Sequence, residues 1–199
     1  MQVRELAVAG AWEFTPVTHA DDRGAFLESF RADVLEATVG HALTVAQANQ
    51  SVSRRGVLRG VHFAAVPPGQ AKYVSCPRGA VLDIVVDLRV GSPTFGAHDA
   101  VRLDDAGHNA VYLAEGLGHA FLSLADHSTV TYLCSTPYAP DREFTVDPLD
   151  AELALPWPRD IEHVLSPRDA DAPSLREALA AGILPDAAAC AARYAQLRG

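Results

Sequence analysis

Lysine and arginine together number 16 in this chain of 199 residues, and Lys72, in the stretch GQAKYVSC, is the only lysine. All other fixed positive charge is guanidinium, a planar fork. An ammonium is a compact point charge on a flexible stem, better matched to a single oxygen atom that gains negative charge. In RRGVLRGVHF, His62 supplies an imidazole that can take a proton near pH 7. In AVLDIVVDLRV, Asp83 is a carboxylate on an otherwise almost wholly apolar run, so burial would oblige it to find a partner. Taken singly, His62 and His119 equally fit satisfied structural histidines, and Tyr132 fits core packing. Asp169 fits a surface acid beside a helix, and the lone lysine fits compositional drift.

Alternation decides which of these side chains can share a surface. Leu82, Ile84, Val86 and Leu88 fall on one face of their run, and Val81, Asp83, Val85, Asp87 and Arg89 on the other. Lys72 shares its face with Val74 and Cys76. Arg59 and His62 are three apart, which strict alternation would separate. Gly60 between them marks a bulge that brings both to one side.

The elements that position them are short strands. AKYVSC, AVLDIVVDLRV, HDAVRL, NAVYLA, HAFLSLA and TVTYLCST are divided by turn clusters such as CPRG, VGSPTFG, DDAGHN, AEGLG and ADHS. Such a series points to an antiparallel sandwich or barrel. Helical pattern is confined to the flanks. RADVLEATVG stops on Gly40, SLREALAAG opens on a Ser174/Glu177 capping box and stops at Gly182, and DAAACAARYAQL follows. The expected architecture is mainly β, a jelly-roll sandwich or barrel within one domain, 1–199. Its core is expected at about 44–138, and a C-terminal helical extension at about 170–199.

The net charge of −9 speaks against nucleic acid, whose phosphates demand clustered Lys and Arg. An anionic small molecule would need arginines gathered locally against that field. Cys76, Cys134 and Cys190 form neither a zinc pattern nor a disulfide framework, so the expected compartment is the reducing cytoplasm. MQVRELAVAGAWEF lacks the features of a signal peptide. No stretch approaches the roughly 20 apolar residues of a membrane span.

The ordered series DDRGAFLESF, QANQSVSRRGVLRGVHF, PPGQAKYVSCPRGAVLDIVVDLRVGSPTFG, VYLAEGLGHAFLSL, TYLCSTPYAP, LPWP and LSPRDADAP resembles the dTDP-4-dehydrorhamnose 3,5-epimerase family. The match runs over roughly residues 8–185 and is strongest to the branch acting on deoxysugars for bacterial antibiotics. It implies a cupin-type jelly roll, a homodimer, and a reaction on a dTDP-linked 4-keto-6-deoxy sugar without metal or other cofactor. The residues fit a metal-free site. A metal cupin usually presents H-x-H, whereas His62 stands alone. His19, His41, His98, His108, His127 and His163 show no ligand spacing and read as surface or structural residues.

Epimerisation beside a ketone needs a base on one side of the sugar, an acid on the other, and stabilisation of the enolate between them. By the resemblance, His62 is the base, Asp169 the carboxylate that orients it, Tyr132 the acid, and Lys72 the cation facing the C4 oxygen. Asp83 and His119 match a supporting polar pair. Arg59 and Arg168 match pyrophosphate contacts, Gln47, Asn49 and Glu143 further substrate contacts, and Tyr138 an aromatic near the thymine. Arg23, Phe26 and Glu28 match a segment given to the partner subunit. Ala25 departs from the family, where an aromatic is common, and QAKYVSCPRGAVLD differs from the commoner wording around the lysine. Members of the antibiotic-sugar branch invert C3, C5 or both. Two other classes fit the same residues less fully: a non-catalytic dTDP-sugar binding module, and a metal-dependent cupin enzyme.

Overall fold

A computed structural model describes every residue from Met1 to Gly199. Its strands are β1 (Gln2–Glu5), β2 (Ala11–Thr15), β3 (Thr18–Asp21), β4 (Gly24–Leu27), β5 (Gln47–Ser53), β6 (Leu58–Ala64) and β7 (Lys72–Arg78). They continue with β8 (Ala80–Asp87), β9 (His98–Asp104), β10 (Ala110–Leu113), β11 (Leu117–Ser123), β12 (Ser128–Cys134) and β13 (Glu143–Thr145). Four helices flank them: α1 (Ala32–Val39), α2 (Pro167–Ala170), α3 (Leu175–Ala180) and α4 (Ala187–Leu197).

Two antiparallel sheets form the sandwich, in the orders β1-β2-β10-β7-β12-β5 and β13-β6-β11-β8-β9, and β3 pairs with β4 as a separate hairpin. From β5 to β13 the chain crosses between sheets at every connection except β8 to β9. That winding is the jelly roll expected from the sequence. The expected core range, 44–138, proves too narrow at both ends. β1 and β2 edge the six-stranded sheet, and β13 edges the other. The reason is packing: Phe14 of β2 is fully buried against Tyr73, with ring centroids 5.7 Å apart.

The alternation read in β8 divides two cores. Val81 and Val85 join Phe121, Val74, Val111 and Val130 in the cluster between the sheets. Ile84, Val86 and Leu88 face outward, where Leu153, Leu175, Ala178 and Leu184 of the C-terminal segment cover them. Both faces are buried, so the strand is apolar almost throughout. The helix signals also hold. Gly40 ends α1 in the left-handed region at φ 86°, where a side chain would be strained. Ser174 and Glu177 form the reciprocal capping box of α3.

Candidate active site

The site begins at the bulge in β6. His119 pairs with His62 and Phe121 with Arg59, so three steps along β6 match two along β11. Gly60 takes φ +129°, and a Cβ there would lie 2.4 Å from Ala120 Cβ. Only glycine fits. The extra residue turns Arg59 and His62 into one cavity, as the spacing predicted.

Asp169 reaches His62 from 107 residues away, with Oδ1 2.7 Å from His62 Nε2. The C-terminal segment is laid along β6 by a parallel bridge, Val57 to Val164. Ser166 then caps α2, its hydroxyl accepting from the Asp169 amide, which fixes the carboxylate. An ionised carboxylate only accepts hydrogen bonds, so Nε2 carries the imidazole proton and Nδ1 is left with its lone pair. Burial pulls the His62 pKa below its ordinary value, against the raising effect of Asp169. Burial works against the Asp169 anion, yet the hydrogen bond and charge of His62 hold its pKa below the usual carboxylate value. The pair at neutral pH is therefore a carboxylate and a neutral, oriented base.

Asp83 finds its partner in His119, Nε2 to Oδ2 at 2.6 Å, and both are buried. Across the cavity, the six-stranded sheet presents two rows on one face. Lys72, Cys134 and Gln47 stand opposite one another, and Val74, Tyr132 and Asn49 form the next row. Burial lowers the Lys72 pKa, opposed by Cys134, Glu143 and Asp83. Burial raises that of Tyr132, which keeps the phenol protonated and able to donate. His62 and Tyr132 thus sit on opposite sheets, an imidazole and a phenol on opposite walls.

One lobe of the cavity, about 190 Å³, is lined by Gln47, Asn49, His62, Gln70, Lys72, Tyr132, Tyr138, Glu143 and Arg168. A second lobe of about 110 Å³ adds Ser51, Arg59, His119 and Phe121. Both share His62, Lys72 and Tyr132. A cleft of about 320 Å³ continues past Gln70, Tyr138 and Glu143 to Arg142. Arg168 is steadied by donating to the Glu143 carbonyl at 2.9 Å, and Arg59 by Ser53 at 3.3 Å. Two guanidinium groups thus border one cavity despite the acidic balance of the chain. No group of three His, Cys, Asp or Glu side chains is arranged to hold a metal ion.

Arg23, Phe26 and Glu28 are not brought into this cavity. They lie on and just beyond the β3–β4 hairpin, where Arg23 pairs with Asp21, Glu28 with Arg31, and Phe26 is 69% exposed. The sequence reading missed Gln70, Ser51 and Phe121. Each stands two positions from an assigned residue, Lys72, Asn49 and His119, and the period-two rule would have found them.

The family model for dTDP-4-dehydrorhamnose 3,5-epimerase matches residues 5–177. A dTDP-4-dehydrorhamnose 3,5-epimerase of Mycolicibacterium smegmatis is 60% identical over 198 residues, covering 100% of this chain and 98% of the relative. The solved rmlC epimerase of Mycobacterium tuberculosis superposes with a TM-score of 0.97 at 50% identity, over the whole of both chains. The 3'-monoepimerase ChmJ of Streptomyces bikiniensis, solved with dTDP-quinovose, superposes with a TM-score of 0.95 at 51% identity, covering 97% of this chain and 98% of that one. With the predicted base, acid, cation and carboxylates gathered at one cavity of a jelly roll, this chain belongs to the dTDP-4-dehydrorhamnose 3,5-epimerase family.

Proposed function

We propose that the enzyme inverts C3, and then C5, of dTDP-4-dehydro-6-deoxy-D-glucose in deoxysugar biosynthesis. The observation that carries this reading is the His62–Asp169 pair facing Lys72 and Tyr132 across one cavity. His62 Nδ1 takes the proton from C3, and the C–H electron pair moves into the C3–C4 bond as the C4 carbonyl oxygen becomes an enolate. Lys72 stabilises that oxygen more strongly in the transition state than in the ketone. Tyr132 delivers its phenolic proton to the opposite face of C3, the carbonyl reforms, and solvent resets both groups. The same groups serve C5, the other carbon flanking the C4 ketone, once the ring turns to present it to His62. C3 inversion is named for both the Mycolicibacterium relative and ChmJ, and the proposal of C5 inversion rests on the 60% identity to the former, a 3,5-epimerase.

Arg59 and Arg168 hold the pyrophosphate as forked donors. Gln47, Asn49 and Glu143 make further contacts with the substrate, and Tyr138 stacks near the thymine. A second copy of the chain completes the site by lending Arg23, Phe26 and Glu28, since the hairpin exposes an aromatic side chain for which its own core has no use. The chain acts as one domain, 1–199, in the cytoplasm, where three buried, unpaired cysteines suit a reducing environment. No helix is long and apolar enough to cross a membrane.

The test is incubation with the 4-keto sugar nucleotide in deuterated water, followed by NMR of the sugar protons. Deuterium is expected at C3 and C5. Exchange at C3 alone would make the enzyme a 3-epimerase, and tight dTDP binding with no exchange would return it to a binding module.

A further inference from the structure

We propose that Gln47, Asn49 and Cys134 form a positioning relay that couples the Tyr138 segment to the Lys72 ammonium. The inference rests on the epimerase reading and assigns a role to Cys134, which lines neither lobe of the cavity. The Tyr138 backbone N–H donates to Gln47 Oε1 at 2.9 Å. Gln47 Nε2 donates to Asn49 Oδ1 at 2.7 Å. Asn49 Nδ2 then points at Cys134 Sγ at 3.7 Å, a length that suits the larger sulfur atom.

The direction of this chain is fixed. A backbone N–H can only donate, so Gln47 must turn its carbonyl to Tyr138 and its amide to Asn49. Asn49 must then accept from Gln47 and donate to the sulfur. Cys134 stands directly opposite Lys72 in the β7–β12 register, with its sulfur polarised by Asn49. Both Lys72 and Cys134 are buried, so the side chains paired across the two strands have little room to move independently. The strand entry is tied to the same segment from the other side: Gln70 Nε2 donates to the Thr136 carbonyl at 2.9 Å, and the Ala71 amide to Ser135 Oγ at 2.8 Å. A nucleotide seated on Tyr138 therefore steadies the segment that sets where the cation rests. Binding energy from the non-reacting half of the substrate is spent on placing the group that meets the enolate.

The experiment compares wild type, Cys134→Ala, Cys134→Ser and Gln47→Glu in the deuterium-exchange assay, with dTDP affinity by calorimetry and unfolding temperature for each. Cys134→Ala is expected to lower kcat about tenfold with KM and dTDP affinity unchanged. Cys134→Ser restores an acceptor and is expected to recover most of that loss. Gln47→Glu keeps shape but cannot donate to Asn49, so Asn49 must reverse and present its carbonyl to the sulfur. Its kcat loss is expected not to add to that of Cys134→Ala in the double variant. Should Cys134→Ala fail to fold, Cys134→Val, which likewise lacks an acceptor, takes its place in the same comparison. Unchanged kcat in folded Cys134→Ala, equal losses in the Ala and Ser variants, or full additivity would overturn the relay. A wild type that binds dTDP but exchanges nothing would overturn the epimerase reading itself, and the relay with it.

Discussion

Asp83 and Asp87 lie on the same face of the same strand, four residues apart, and are treated in opposite ways. Asp87 is saturated. Arg89 donates to its two oxygens at 2.8 Å each, and Ser92 and Thr94 hydroxyls reach Oδ2 at 2.6 Å each. Burial disfavours its anion, yet these donors hold its pKa below the usual carboxylate value. Asp83 has one oxygen on His119, while its Oδ1 is buried with no partner. Asp87 has both oxygens occupied by donors. Asp83 leaves capacity unused, and Lys72 and the Nδ1 of His62 likewise have no hydrogen-bond partner. β8 thus has a closed end at Asp87, where the carboxylate is saturated with donors, and an open one toward Asp83, where Oδ1 has no partner.

Breaking the open end should abolish turnover and spare the fold. His62→Ala removes the base, with turnover expected to fall by about 10²–10⁴ while the unfolding temperature stays close to wild type. Breaking the closed end should do the reverse. Asp87→Ala strands the Arg89 guanidinium, whose side chain is only 9% exposed, and is expected to lower unfolding stability by about 3–5 kcal/mol. Turnover per folded molecule, measured well below the transition, should remain near normal. Asp83→Asn sharpens the contrast between the two strand-mates. It keeps an acceptor for His119 and removes a buried charge, so turnover should fall about tenfold without loss of stability. Destabilisation by several kcal/mol in urea would place Asp83 with Asp87 instead.

The smallest effect is in the pH profile. His62 must be neutral to act, and burial holds its pKa below 6.5, so activity should fall on the acid side only beneath that value. Asp169→Asn removes the partner that raises this pKa, so the acid limb should move further down even as kcat drops. On the alkaline side Lys72 is pushed below 10.5 and Tyr132 above 10.0, so loss of the lysine proton should set that limb. An acid limb that moves up in Asp169→Asn would contradict the assigned pair.

Much of this was legible because strands keep a period of two. The faces of β8, the isolation of Asp83 on it and the bulge at Gly60 follow from local spacing alone. Asp169 does not. Nothing near SPRDADAP shows that a parallel bridge will carry it over β6, and only family resemblance joined it to His62. β1, β2, β5 and β13 escaped the strand reading. The β3–β4 hairpin did as well, because its residues are almost all exposed and no alternation of burial marks it. Gln70, Ser51, Phe121 and Cys134 were readable in principle, each two places from a residue already singled out.

The most direct measurement is deuterium exchange at C3 by Lys72→Arg, read beside its unfolding temperature. The substitution keeps one positive charge and changes only its shape and its donors. If the unpaired ammonium is the partner of the enolate oxygen, exchange should fall by about 10² or more while the unfolding temperature moves by only a few degrees. Exchange near the wild-type rate in a folded Lys72→Arg enzyme would contradict it.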